Sequence, residues 1–479
     1  PGGRGKLNMV SPVVPQDQDG LKVELDLADI QGLILRGYTM AALRLFVLRI
    51  DEAPAARRFV GALATPTADL LPGLTSAMPW FTKPPYCINV GFTFAGLRAL
   101  KLAEESLQSF PEDFRQGAVL RAEVVGDTGE SQPDHWMAPF SPSLADQAHV
   151  VLILFAQDEA VVAEVSERLR SVLPQGGLSE LSHHDAEALP GHVAHFGYRD
   201  GFSQPTIAGA PPTHLPDPLP VVPPGAFLFG YPSQHPGLTY PVPAPEELGR
   251  NGSFAALRIL EQDVYGFETF LHATGKELGI DPDEVAAKLC GRWRNGMPLV
   301  ISPHTDSPDP PVADEAMNDF DYVAGDGRHH GVDDPGGRRC PIGSHIRRTN
   351  PRSAKVAGGN GHRRRIVRRG LPYGPPYDPE HPHDGIPRGL LGLFIGVSLA
   401  DQFEFIMAEW VNDGVFAPGL GRTRDPLIGA GGSGEQRFEI PVEGGRPRVI
   451  SGFSSFVITR GAAYCFLPSF TALRWIAAQ

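Results

Sequence analysis

Apolar and polar positions change period several times along the chain, and each change predicts an element. Leu43 to Ile50 (LRLFVLRI) and His149 to Ala156 (HVVLILFA) are short, nearly unbroken apolar runs, the pattern of buried strands. A helix is expected after each. The clearer one opens at Asp158: Val161, Val165, Leu169 and Val172 recur at helical spacing, Glu164, Glu167, Arg168 and Arg170 take the other face, and Pro174 follows its end. A strand followed by a crossover helix is the unit of a layered α+β domain.

Pro211 to Gly225 (PPTHLPDPLPVVPPG) breaks the pattern, because proline fixes φ and removes backbone donors. It divides the chain into two α+β halves, residues 1–224 and 225–479. In the second half Phe227 to Tyr231 and Leu390 to Leu399 read as strands, Ala400 to Trp410 (ADQFEFIMAEW) as a helix, Tyr464 to Leu467 as a short strand and the segment from Phe470 as a short helix. Loops near Ser302 to Arg339, Lys355 to His362 and Pro375 to Pro387 are long and rich in Gly, Pro, Asp and His, which marks functional or mobile segments.

With 479 residues and 42% hydrophobic content the chain is globular with a large core. Lys and Arg number 42 against 55 Asp and Glu, a net charge of −13, so the overall field repels polyanions and no nucleic-acid partner is expected. The basic run His362 to Arg369 (HRRRIVRR) is the local exception, read either as a solvated edge or as part of a site. No run reaches the roughly 18 apolar residues of a membrane span. Four separated cysteines (Cys87, Cys290, Cys340, Cys465) offer no CxxC zinc pair and no CxxCH for covalent haem, and fit a reducing compartment. A cytoplasmic location is expected, or a secreted one if a leader was removed. Asn251-Gly252-Ser253 is a glycosylation sequon, meaningful only for secretion from a eukaryote.

Several patterns lack the context their chemistry requires. Gly429 to Gly434 (GAGGSG) satisfies GxGxxG, but the following Gln436 to Val442 reads as extended instead of helical. His381, His383 and Asp384 sit among prolines, and the adjacent side chains of the pairs His183/His184 and His329/His330 rarely converge on one ion without partners elsewhere, so solvated loop histidines are the plainer reading.

Three segments remain. HFGYRDGFSQP, His195 to Pro205, brackets Asp200 between glycines; CPIGSHIRRTNPR, Cys340 to Arg352, offers the single histidine His345; IVRRGLPYG, Ile366 to Gly374, carries Arg368. Each alone has a structural reading: a turn-capping Asp, a core His, a surface cation. Together, in this order and spacing, they resemble the signature of the dye-decolorizing peroxidase family. Asp29 to Tyr38, Asn89 to Leu100, Phe227 to Tyr231, Gly291 to Leu299 and Asp425 to Gly429 extend the resemblance over nearly the whole chain.

That resemblance implies two ferredoxin-like halves, each with an antiparallel sheet and peripheral helices, and non-covalent haem b held mainly by the C-terminal half. It implies an H2O2-dependent oxidation of dyes, phenols and similar one-electron donors through a ferryl intermediate. Asp200 and Arg368 would act on peroxide at the distal face, and His345 would bind iron. Asp425 is offered as acceptor of the other His345 N–H. Leu390 and Phe394 would line the haem, and Arg347, Arg348 and Arg352 either pair with haem propionates or form salt bridges within the fold. His195 is read as a packing or propionate-side residue. Where many relatives read Leu-Leu-Phe, this chain reads Leu390-Leu391-Gly392, which implies a roomier pocket. Tyr373 and Trp410 either carry electrons for dyes too large to enter or serve packing alone, Tyr373 in its turn and Trp410 capping a helix in the core. The rival functions are a haem-binding or haem-trafficking protein with incidental peroxidase activity and a metallohydrolase on the histidine-rich loops; the first needs neither Asp200 nor Arg368.

Overall fold

The computed structural model describes residues 23–479 apart from 66–71, 202, 213–218, 324–332, 419, 422, 431–435, 443 and 454. The His329/His330 pair, most of the Gly429–Gly434 pattern and the centre of the proline-rich connection therefore lie outside the described residues.

The apolar runs become strands because a strand enclosed on both faces can be apolar throughout. β1 (Ala42–Ile50), β2 (Tyr86–Phe92), β3 (Val150–Ala156) and β4 (Leu178–Glu187) come from the first half. β5 (Ser253–Gln262), the two-residue strands β6 (Lys355–Val356) and β7 (Gly359–Asn360), β8 (Val367–Tyr373), β9 (Gly389–Gly396), β10 (Gln436–Ile440), β11 (Arg448–Phe453) and β12 (Val457–Leu467) come from the second. One eight-stranded sheet runs β4-β1-β3-β2-β12-β5-β9-β8. Every neighbouring pair is antiparallel, and the halves meet where β2 pairs with β12 at Phe92 and Phe466. The two edge strands, β4 and β8, touch, so the sheet curls toward a barrel.

Helices pack around this sheet. The helix Glu159–Val172 starts where expected, Asp158 accepting the Val161 N–H as its cap, and buries Val162, Val165 and Leu169. The C-terminal helix Phe470–Ala478, capped by Ser469, lies on the helix Ala53–Ala64, with Gly61 giving the room that Ala477 fills.

Several expectations change: the strand at Leu390 to Leu399 ends at Gly396, and the short strand at Tyr464 to Leu467 is the end of the longer β12. Phe227 to Tyr231 is not a strand: after the short turn Pro224–Ala226 the chain doubles back so tightly that a side chain on Gly225 would run into the Tyr231 and Pro232 carbonyls. Its apolar residues are buried in a turn, which the apolar run alone does not distinguish from a strand. The helix at Ala400 to Trp410 begins one residue earlier and is wound wide, in π-type turns over Leu399–Glu404 and Ile406–Val411.

Candidate active site

Asp200 stands on a tight loop. Gly197 and Gly201 have φ of +83° and +95°, which a residue with a side chain adopts only with strain. The neighbours are tied down: Tyr198 donates its hydroxyl to the Ala286 carbonyl at 2.7 Å, and Arg199 pairs with Asp314 at 2.5 Å. Asp200 itself is exposed, and among the described residues its Oδ1 accepts only the adjacent Gly201 N–H, at 2.7 Å. The loop docks on β8: His195 Nε2 donates to the Tyr373 carbonyl at 2.8 Å, and the Gln204 side chain both accepts from and donates to the Arg368 backbone.

Arg368 is exposed on that strand, and its Nη2 donates to the Ser203 carbonyl at 2.7 Å. The segment just after Asp200 is thus held directly against Arg368, and the two residues separated by 168 positions belong to one region. Gln204 sits inside the motif quoted from sequence, but nothing local to it signalled this bridging.

Alternation along β8 and β9 sets the face that Arg368 shares. Arg368, Gly370 and Pro372 oppose Phe394, Gly392 and Leu390, and these last three are half-buried while Leu391, Leu393 and Ile395 point into the core. Leu391 therefore faces away from Gly392. The space left at Gly392 is bordered by Phe394, whose ring carbons lie 3.5 and 3.7 Å from where a Cβ on residue 392 would stand.

His345 opens the short helix His345–Thr349. Its Nδ1 lies 2.9 Å from Asp425 Oδ2. Asp425 is wholly enclosed, and its Oδ1 accepts the Leu427 and Ile428 N–H groups at 2.9 and 3.0 Å. Burial works to raise its pKa, but the charge and hydrogen bond of His345 and the Ile428 N–H outweigh it and hold the carboxyl below its ordinary value. Arg348, fully buried, donates to the Trp410 and Thr423 carbonyls and locks the helix in place. Burial lowers its guanidinium pKa to about 10.

A single imidazole whose Nδ1 is pinned by an enclosed carboxylate, with no hydrogen bond to Nε2 among the described residues, is the donor set of a haem proximal ligand. The residues present therefore fit haem. Among the described residues no three His, Cys, Asp or Glu side chains converge to hold a bare metal ion. His381 pairs with Asp378 at 2.8 Å on the surface, His183 with Glu180 at 2.7 Å, and Asp384 with Arg388 at 2.5 Å.

A family model for the DyP dimeric alpha+beta barrel domain matches residues 29–190. Peroxidase 2 of Mycetinis scorodonius is 30% identical over 478 residues, spanning 94% of this chain and 88% of that protein. The chain belongs to the dye-decolorizing peroxidase family. The dye-decolorizing peroxidase of Exidia glandulosa is 29% identical, spanning 96% of this chain and 89% of that protein. A solved dye-decolorizing peroxidase in complex with 2,6-dimethoxyphenol is similar with a TM-score of 0.77 at 26% identity, covering 95% of this chain and all of that one. This protein is accordingly a haem peroxidase with the α+β barrel fold.

In this peroxidase the remaining residues singled out from sequence divide clearly. Arg347 and Arg352 are 3% and 2% exposed and are committed to the fold. Arg347 pairs with Asp334 at 3.1 Å and lies over the Tyr322 ring; Arg352 brackets the Asn318 and Phe320 carbonyls. Of the two roles open to them, internal pairing is the one the geometry displays. Trp410 is 1% exposed, its Nε1 donating to the Ala357 carbonyl at 2.9 Å, so it cannot touch a dye at the surface. Tyr373 is partly exposed on β8. Asn251 of the sequon is buried, its amide donating to Asp29 and accepting from Tyr231, and offers no attachment point for a glycan in the folded chain. No helix among the described residues is long and apolar enough to cross a membrane.

Proposed function

We propose that this peroxidase binds b-type haem without a covalent link, through His345 Nε2, and uses H2O2 to oxidise phenols, dyes and similar one-electron donors. The observation that carries the reading is the 2.9 Å contact of His345 Nδ1 with the enclosed carboxylate of Asp425. Donation of the Nδ1 proton to Asp425 fixes the tautomer, leaves Nε2 unprotonated to ligate, and makes the ring more electron-rich. A carrier that merely moves haem needs no such partner.

Haem, when bound, supplies an iron that accepts peroxide and passes on oxidising equivalents one electron at a time. The chain's own groups do the rest. Asp200, exposed on its tight loop, takes a proton from one peroxide oxygen and returns it to the other, which leaves as water. Arg368, held by Ser203, offsets the negative charge that grows on the departing oxygen. Leu390 and Phe394 form apolar walls on the face shared with Arg368, the side to which we assign small phenols of the kind bound by the related structure. For bulky dyes, Tyr373 is the carrier with an exposed edge, and Trp410 serves only as an internal one.

The test is the absorption spectrum of the purified protein before and after one equivalent of H2O2, with acid-acetone extraction of the pigment. His345→Ala should lose most of the Soret band. A normal band in that variant moves the axial ligand elsewhere.

A further inference from the structure

The face of the sheet that carries Arg368 continues, strand by strand, to a buried tyrosine. Arg368 on β8 opposes Phe394 on β9, Phe394 opposes Ala256 on β5, and Ala256 opposes Tyr464 on β12. Directly opposed residues of antiparallel strands share a face. One row thus crosses four strands, and three steps of about 4.8 Å place Tyr464 about 14 Å from Arg368. Aromatic rings bridge the row: the Phe394 and Phe403 centroids are 5.5 Å apart, and those of Phe403 and Tyr464 6.3 Å.

Tyr464 is 3% exposed, and its hydroxyl donates to Glu404 Oε1 at 2.9 Å. Glu404 is enclosed as well, and Arg121 grips both of its oxygens, Nε at 2.9 Å and Nη2 at 2.5 Å. Glu404 lies in the π-type turn Leu399–Glu404, a rare winding that recurs at functional sites. On its own face of β12 Tyr464 is flanked by Ala462 and Phe466, and the buried Arg258–Asp127 pair lies near enough for its charges to act on the phenol. Burying a carboxylate with a phenol costs more than burying an apolar pair of the same shape, which makes a purely structural purpose a poor account of the triad. Burial, with the charge of Glu404 adding to it, drives the phenol's ionisation well above the ordinary tyrosine range, so the proton stays on Tyr464 until an electron leaves.

We propose that Tyr464 is a redox site of this peroxidase that stores one oxidising equivalent as a neutral tyrosyl radical, with Glu404 receiving its proton. The inference rests on the peroxidase reading above. One electron passes from the phenol to the centre that H2O2 has oxidised, which is reduced by one electron. The phenolic proton crosses the existing hydrogen bond, and the Glu404 carboxylate becomes a carboxylic acid beside Arg121. An outside one-electron donor returns the electron, and the proton goes back to Tyr464. The store keeps an oxidising equivalent away from the pocket when reductant is scarce.

The test is freeze-quench electron paramagnetic resonance of the haem-loaded enzyme after one equivalent of H2O2 without reductant. Wild type should give an organic radical whose line shape narrows when the protein is made with ring-deuterated tyrosine. Tyr464→Phe should lose most of that signal per H2O2 consumed. Glu404→Gln, which keeps a hydrogen-bond acceptor but no base, should lower the yield although Tyr464 is still present. A wild-type signal indifferent to tyrosine deuteration, or one of equal size in Tyr464→Phe, overturns the proposal. If Tyr464→Phe does not fold, the deuterated wild type and Glu404→Gln still decide, because a merely structural triad would change thermal stability and leave the radical yield alone. A wild type that takes up no haem or consumes no H2O2 instead overturns the peroxidase reading itself.

Discussion

Asp425→Asn changes one atom of the axial pair and leaves its shape, so its effect can be worked out from the hydrogen bonds. The carboxylate accepts three: Oδ2 from His345 Nδ1 at 2.9 Å, Oδ1 from the Leu427 and Ile428 N–H groups at 2.9 and 3.0 Å. An amide has one oxygen for these donors. If that oxygen stays with Leu427 and Ile428, its NH2 faces His345, Nδ1 must become the acceptor, and the proton moves to Nε2, the nitrogen that should bind iron. If the amide turns to keep His345, two enclosed backbone donors lose their acceptor, at about 1 to 3 kcal/mol for each unsatisfied group. Either arrangement weakens the site, and loss of such an outer partner typically costs about 10- to 100-fold in affinity for the metal group. Haem titration of the apoprotein, followed at the Soret band, should show a weakening of that size with the circular dichroism of the fold preserved. The midpoint potential of the iron should rise, since a less electron-rich imidazole stabilises the oxidised metal less. Unchanged haem affinity together with an unchanged potential would refute the assigned role of Asp425.

Asp200→Asn should slow reaction with H2O2 by about 10²- to 10⁴-fold in stopped flow, and Arg368→Leu by about 10²- to 10³-fold, with haem occupancy near wild type in both; unchanged rates would remove them from the reaction. His195, whose Nδ1 is enclosed with no hydrogen-bond partner among the described residues, has its pKa lowered by burial. Its contribution to stability is therefore complete above the ordinary histidine value and declines as pH falls below about 6.5. Protection factors of residues 192–201, with exchange corrected for its intrinsic pH dependence, should fall from pH 7.5 to 5 in wild type and lose that part of their pH dependence in His195→Gln, and an identical profile in the two proteins would contradict the assignment. Trp410→Phe should lower stability in urea unfolding by about 1 to 3 kcal/mol, from the lost hydrogen bond to Ala357 and the space left behind. Tyr373→Phe should instead reduce turnover of a bulky anthraquinone dye more than that of a small phenol; equal activity on both would return dye oxidation to the haem edge.

Much of this protein is written locally. The strands at Leu43–Ile50 and His149–Ala156 and the Asp158-capped helix follow from apolar period and capping chemistry, which depend only on neighbours in sequence. The residue types of the site were legible too, because Asp200 between glycines, a lone His345 and Arg368 lie in short ordered segments. Tertiary structure decided the rest, for reasons of reach and register. A period of two says which residues share a face, but not which strand comes next, so the row from Arg368 through Phe394 to Tyr464 exists only once β8, β9, β5 and β12 are paired. Asp425 meets His345 across 80 residues, and Arg347 and Arg352 find acceptors in the 318–340 segment, pairings that no local pattern encodes. Phe227–Tyr231 has the composition of a strand and folds as a turn, because a close backbone approach at Gly225 outweighs the preference of its apolar residues. Trp410 and Tyr464 look alike in sequence as oxidisable aromatics; their difference is a packed indole on one side and, on the other, a phenol bonded to a carboxylate brought to it by a π-type turn.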